Sequence, residues 1–219
     1  MSISELLSEY GGMYVTAFLT TWQLTLLSFV GVCVVGLAIT VCRVCPLKPL
    51  RVFGDLYVQI FRNIPGICLV IFVVYAFPHL GLTWPYVTCI VVATILLGSA
   101  FASENLMTGI NTIGVGQVEA ARSLGLTFTQ MLKELVIPQA LRSAVLPMTN
   151  LMIAVMLTTA LASQVPMNPP ELTGIVKYIN TRTTAGITPF CISALCYAGS
   201  AFVIGLVGNW IDKKARILR

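Results

Sequence analysis

Four stretches of this chain carry no charged side chain: Tyr10 to Cys42, Asn63 to Ser103, Ser143 to Pro170 and Thr183 to Ile211. About 20 predominantly apolar residues cross the hydrocarbon of a bilayer as a helix, which satisfies its own backbone where water is absent. Each stretch is long enough. The second holds 41 residues, and its middle, Phe77-Pro78-His79-Leu80-Gly81-Leu82-Thr83-Trp84-Pro85, is rich in helix breakers and carries a tryptophan suited to a membrane interface. It reads as a hairpin of two spans. The expected fold is all-α and membrane-integral, a single transmembrane domain over 1–219 with five helices near 14–42, 64–78, 85–103, 145–165 and 188–211.

The distribution of charge tests that count. Hydrophobic residues make up 57% of the chain and charged ones 10%, and the net charge of +5 sits between and after the apolar runs, as topology signals do, rather than on a nucleic-acid-binding surface. With five spans and the N-terminus outside, the inner segments hold Arg43, Lys48, Arg51 and Arg62, then Arg122, Lys133 and Arg142, then Lys213, Lys214, Arg216 and Arg219. Only Lys177 and Arg182 remain outside, whereas fusing the hairpin into one span divides the basic residues almost evenly. The positive-inside bias therefore favours five spans with the C-terminus cytoplasmic. Lipids are the expected solvent, and no nucleic acid is expected as a partner.

The first apolar run follows Glu5 and Glu9, lacks a basic leader and is too long for a signal-peptide core, so it is expected to stay in the mature protein. The seven cysteines are scattered mostly through apolar runs, without metal-ligand spacing. Cys42 and Cys45 match a C-x-x-C pattern and support a competing reading as a membrane thiol oxidoreductase. A further competitor is an ATP-independent channel or secondary transporter. The single histidine, His79, lies in the expected outer hairpin without catalytic or metal partners near it in sequence.

Between the third and fourth spans lies Glu104 to Arg142, too long to be a mere turn. A helix is expected from Gln117 to Leu124, with Glu119 in its first turn and Gly125 as a left-handed C-terminal cap. Thr127-Phe128-Thr129-Gln130 fits a capping box opening a second helix that runs to Ile137, before Pro138 interrupts it. Ala120 and Ala121 offer a face without bulk, with Glu119 and Arg122 at its rim, which fits either docking against another protein or a helix lying on the membrane surface.

Glu119-Ala120-Ala121, Gly125 and Ile137-Pro138 resemble the EAA loop of ABC importer permeases. Gly116-Gln117, Ser123-Leu124-Gly125-Leu126, Pro138-Gln139-Ala140-Leu141-Arg142, Leu146-Pro147 with Asn150, and Phe61-Arg62-Asn63-Ile64-Pro65 resemble permeases for polar amino acids, over roughly Tyr57 to Glu171. The resemblance implies a multi-pass transport subunit of a prokaryotic cytoplasmic membrane, not an enzyme, carrying a glutamate- or glutamine-like substrate. Gly116, Gln117, Glu119, Ala120, Ala121, Arg122, Ser123 and Gly125 would couple to a separate ATPase. It also implies ATPase subunits as partners, a second permease, identical or not, and an extracytoplasmic amino-acid-binding protein. No cofactor is expected in this chain; ATP and magnesium would be held by the ATPase, since no Gly-x-x-x-x-Gly-Lys-Ser/Thr phosphate loop occurs here. The chain departs from the family at Leu157, where a lysine is usual, which implies a non-identical partner carrying more of the substrate contacts.

Polar residues in hydrocarbon face a partner or a cavity. Thr159 and Ser163, four apart on one helical face, with Thr158 and Gln164 beside them, would line a substrate path or bond back to their own helix. Arg62 and Glu104, at the inner ends of neighbouring spans, would pair across the inner mouth or stand as separate solvated charges. Ala201 and Gly205 form a small-x-x-x-small face for a helix of this chain or of a partner.

Overall fold

The computed structural model describes residues 3–215, and among these it contains helices and no strand. The inner basic residues Arg216 and Arg219 lie outside the described residues. Helix α1 (Ile3–Val44) runs 42 residues, well beyond the expected 14–42 at its start. At 1.5 Å per residue it is about 63 Å long, roughly twice the hydrocarbon thickness. The surplus is used: Leu6, Tyr10 and Tyr14 are buried against Leu172, Ile175 and Ile179 of α9 (Leu172–Asn180), a helix lying between the expected spans.

Helix α2 (Lys48–Asn63) is a second unexpected element, with Pro49 in its first turn. Its charges mask it, yet Leu50, Phe53, Leu56 and Ile60 recur at helical spacing and form an exposed apolar stripe, while Gly54 and Val58 are buried toward Ile39 of α1 and Ala100. At Ile64-Pro65 the chain turns by 103° into α3 (Gly66–Ile71), which continues as a π turn (Phe72–Ala76) and a 3-10 turn (Phe77–Leu80) ending at Gly81 with φ +80°. The expected hairpin follows, with the Phe77 and Trp84 rings edge to face across it, 5.3 Å between centroids.

Helix α4 (Tyr86–Ile110) passes the expected end at Ser103, because Glu104 is paired and does not force an exit into water. Then come α5 (Val115–Ser123), α6 (Phe128–Met131), a π turn (Leu132–Val136) and α7 (Ile137–Ser143). Here the expectation that Pro138 ends the second loop helix is corrected. The wider π turn, closed by the Ile137 N–H on the Leu132 carbonyl, carries the chain in helical conformation past the proline. Helix α8 (Val145–Thr158) tightens into a 3-10 segment (Thr159–Gln164), and α10 (Thr188–Ala215) closes the described chain. Among the described residues four helices, α1, α4, α8 with its extension, and α10, are long and apolar enough to cross a membrane, and the count reaches five when the bent α2–α3 pair is taken as one span.

The α1–α4 pair forms the longest packing seam, and small residues set its spacing. A Cβ on Gly36 would fall 2.5 Å from the Ala102 Cβ, and one on Gly98 would fall 2.5 Å from Val32. Close approach substitutes for the hydrophobic drive that lipid does not supply. On α10 the close contact is Gly208 against Thr149, while among the described residues nothing lies within 4 Å of a Cβ at Gly205, so the Ala201–Gly205 face makes no such contact with them. Gly36→Val should therefore lower stability by about 1–3 kcal/mol through overpacking. Thermal unfolding of the solubilised protein provides the check, with Gly12→Ala, where nothing among the described residues lies within 4 Å, as the comparison that should lose no stability.

Candidate functional site

Three polar features stand out along the fold. The first is the loop knob. Gly114 caps α5, which begins two residues earlier than expected and places Glu119 in its second turn rather than its first. The helix closes in a Schellman arrangement: the Gly125 N–H donates to the Arg122 carbonyl (2.9 Å) and the Leu126 N–H to the Ala121 carbonyl (3.2 Å), with Gly125 at φ +75°. Gly116, Gln117, Glu119, Ala120, Arg122, Ser123 and Gly125 are exposed, and Leu124 is 81% exposed. Ala121 is the exception among the expected contact residues. It is buried against Met131, Leu132 and Val136, so the bulk-free outward face is Ala120 alone.

The same cluster reaches Val41 and Val44 of α1 and Ile110 of α4, which ties the knob to the ends of two spans. The Thr127–Gln130 capping box forms as read from the sequence, and Gln139 Nε2 donates to Gln117 Oε1 at 2.9 Å across the corner. A Cβ on Gly109 would fall 2.6 Å from the Ala140 carbonyl oxygen, so α4 and α7 meet backbone to backbone there.

The second feature is an ion network where α1, α2 and α4 meet. Arg62 Nη1 lies 3.4 Å from Glu104 Oε2, the pairing rather than the solvated alternative. The centre is a residue the sequence reading passed over: Arg43, its side chain 14% exposed, bonds Glu104 Oε1 and Asp55 Oδ1, both at 2.9 Å, and donates to Ser103 Oγ. Arg43 and Asp55 come from different helices on either side of a turn, and once α2 is known to fold back along α1 their proximity follows.

The third feature lies at the opposite end of the bundle. Thr158 and Thr159 donate to the Ala154 and Met156 carbonyls, and Ser163 to the Ala160 carbonyl, so these hydroxyls are bonded to their own helix. The expected four-residue face assumed α periodicity. In the 3-10 segment the period is three, which buries Thr159 completely and leaves Ser163 and Gln164 on a cavity of about 710 Å³. Thr158 and Thr159 do not line it.

Across that cavity stands α9, capped by Glu171, which is fully buried. Its carboxylate accepts from the Thr173 and Gly174 N–H groups and from the Tyr197 hydroxyl (2.9 Å). Burial pushes the Glu171 carboxyl up, and those donors pull against it. The first turn of α9 is further pinned to α1 and α10, the Leu172 N–H donating to Thr21 Oγ1 and Ser193 Oγ donating to the Leu172 carbonyl. The sequence signal for this cap was Glu171 followed by an amphipathic run, hidden by the prolines before it. Cys42 and Cys45 are free thiols, and no His/Cys/Asp/Glu group able to hold a metal occurs among the described residues.

A family model described as the inner membrane component of binding-protein-dependent transport systems matches residues 33–217. The chain belongs to this family. As a transport-system component it is a membrane-integral transport subunit rather than an enzyme. It is 35% identical over 226 residues to the glutamate transport system permease protein GluC of Corynebacterium efficiens, covering 97% of this chain and 99% of that one. With the probable glutamine ABC transporter permease protein GlnM of Bacillus subtilis it shares 28% identity over 214 residues, covering 98% of each. Its fold is that of the crystal structure of an amino acid ABC transporter with histidines (TM-score 0.88, 23% identity, 98% of this chain and 99% of that one). It is similar in the same sense to an inward-facing MetNI methionine ABC transporter (TM-score 0.82, 20% identity, 95% and 99%).

For this transport component the Arg43 network makes a graded prediction. Arg43→Gln removes two close charge-assisted contacts and should lower stability by about 2–3 kcal/mol, whereas Arg62→Gln, at the longer and more exposed contact, should lower it by less than about 1 kcal/mol. Denaturation of the two solubilised variants side by side decides it; equal losses would contradict the ranking.

Proposed function

We propose that this transport component is the permease subunit of an ATP-driven importer for a polar amino acid, glutamate- or glutamine-like, in the cytoplasmic membrane of a prokaryote. The observation that carries the coupling half of this reading is the knob: an exposed short helix with a glycine-capped corner, whose Ala121 joins the apolar cluster of Met131, Leu132 and Val136 that reaches the ends of α1 and α4. A push on Glu119, Ala120 or Arg122 would pass to the spans as a rigid displacement rather than be absorbed in the loop. ATP and magnesium belong to a separate ATPase subunit in this scheme, because the chain has no phosphate loop. An extracytoplasmic binding protein would deliver the amino acid, and a second permease, a copy or a non-identical partner, would complete the path. The names of the relatives support the amino-acid class. The thiol-exchange and ATP-independent readings give way to the family assignment.

The substrate path would include the cavity beside Ser163 and Gln164, and Arg43, Glu104 and Arg62 would hold the opposite mouth closed. By the positive-inside bias the knob and the Arg43 network are cytoplasmic and the Glu171 end is outside. In a cysteine-free background, single cysteines at Ser4 and Lys213 should label from opposite sides of sealed cells; labelling from the same side would contradict five spans.

The coupling role is tested at the corner. A branched residue resists positive φ, so Gly125→Val should shift the knob away from its partner. Combined with Glu119→Lys it should abolish most substrate-stimulated ATP hydrolysis and uptake while the chain still inserts in the membrane. Normal assembly and uptake in the double variant would end the assignment.

A further inference from the structure

The cavity at the α9 end has an asymmetry that the general reading as an amino-acid path does not use. Two ionisable side chains other than the Tyr178 phenol line it, Glu171 and Lys177. Glu171 is fully buried and its carboxylate is taken by two backbone N–H groups and the Tyr197 hydroxyl, so it presents nothing to an incoming molecule. Lys177 is exposed, and its Nζ rests 3.5 Å from the Ser163 carbonyl oxygen, a long contact that leaves ammonium donors open toward the cavity. Just behind the lining, the Arg182 guanidinium stacks on the Tyr178 ring at 4.2 Å, adding a second positive charge on the same side. The remaining polar groups, Ser163, Gln164 and Asn168 among them, are neutral.

Neutral hydroxyls, amides and backbone groups can meet the zwitterionic end of any amino acid. An unneutralised ammonium in a walled cavity distinguishes a substrate by its additional negative charge. We infer that Lys177 is the acid-selecting residue of the permease, receiving the side-chain carboxylate of a dicarboxylic amino acid in the cavity between α9 and the 3-10 end of α8. This rests on the reading of the chain as an amino-acid permease and narrows it to an acidic substrate. The position is set by the fold: the Glu171 cap fixes the first turn of α9, and Lys177, six residues on, follows on its cavity-facing side.

The test uses the complete transport complex with its binding protein in proteoliposomes, with labelled glutamate and glutamine as probes in parallel. For Lys177→Gln, which keeps a donor and loses the charge, glutamate uptake at sub-saturating concentration should fall roughly tenfold relative to glutamine, mainly through KM, the size expected of one well-placed charge pair. Lys177→Arg should restore most of the preference, which a merely structural role for the side chain would not require. ATP-driven import in which the glutamate-to-glutamine ratio is unchanged by Lys177→Gln would overturn this inference and leave the permease reading standing. Wild-type complexes that import neither amino acid under ATP would overturn both.

Discussion

Hydrocarbon offers no hydrogen bonds, and the placement of polar side chains along this chain follows from that refusal. Within α1 the hydroxyls of Thr20, Thr21, Thr25 and Thr40 each donate to the carbonyl four residues back, and Thr149 and Thr158 do so in α8. Ser28 Oγ and Thr94 Oγ1 are the buried side-chain atoms left without a partner among the described residues, a small remainder for a bundle of this size. Charges obey the same rule at higher stakes. Glu104 sits inside a continuous helix only because Arg43 and Arg62 reach it, and Glu171 is buried because three donors converge on it.

Those two satisfied acids mark opposite ends of the molecule and give each a distinct mechanical character. At the Arg43 end the contacts are between long side chains from three helices, partly exposed, and can be broken and remade as the helices move. At the Glu171 end the contacts are largely to backbone, with the Tyr197 hydroxyl added, and α9 is fastened to α1 and α10 through Leu172. A bundle held firmly at one end and by ion pairs at the other is suited to open at the ion-paired end. The knob is attached to that end through Val41, Val44 and Ile110, so force applied there acts on the looser contacts first.

Much of this was legible from uncharged run lengths and helix breakers. The long apolar helices, the break at Phe77–Pro85, the Gly125 corner and the Thr127 capping box are legible because each depends on local chemistry, although α1 and α4 run past the ends their uncharged stretches suggest. What escaped was set by tertiary contacts. Helices α2 and α9 are too polar to register as spans and were passed over, although both are amphipathic. The Arg43–Asp55 pair is not legible from the sequence because it forms only when α2 folds back along α1. Pro138 looked like a terminator because a π turn is invisible in composition, and Thr159 looked pore-lining because the 3-10 tightening of α8 changes which residues share a face. Ala121 illustrates the same limit at the knob, where one of two adjacent alanines serves the loop's own packing.

The central claim is that the exposed face of α5 meets a separate nucleotide-hydrolysing subunit. A photo-crosslinking amino acid placed at Glu119, with the same group at His79 in the distant hairpin as reference, tests it directly in native membranes. The account predicts that the Glu119 adduct contains a second polypeptide bearing a phosphate-binding loop, and that the His79 adduct does not. Adducts at Glu119 confined to lipid or to this chain's own helices would contradict it.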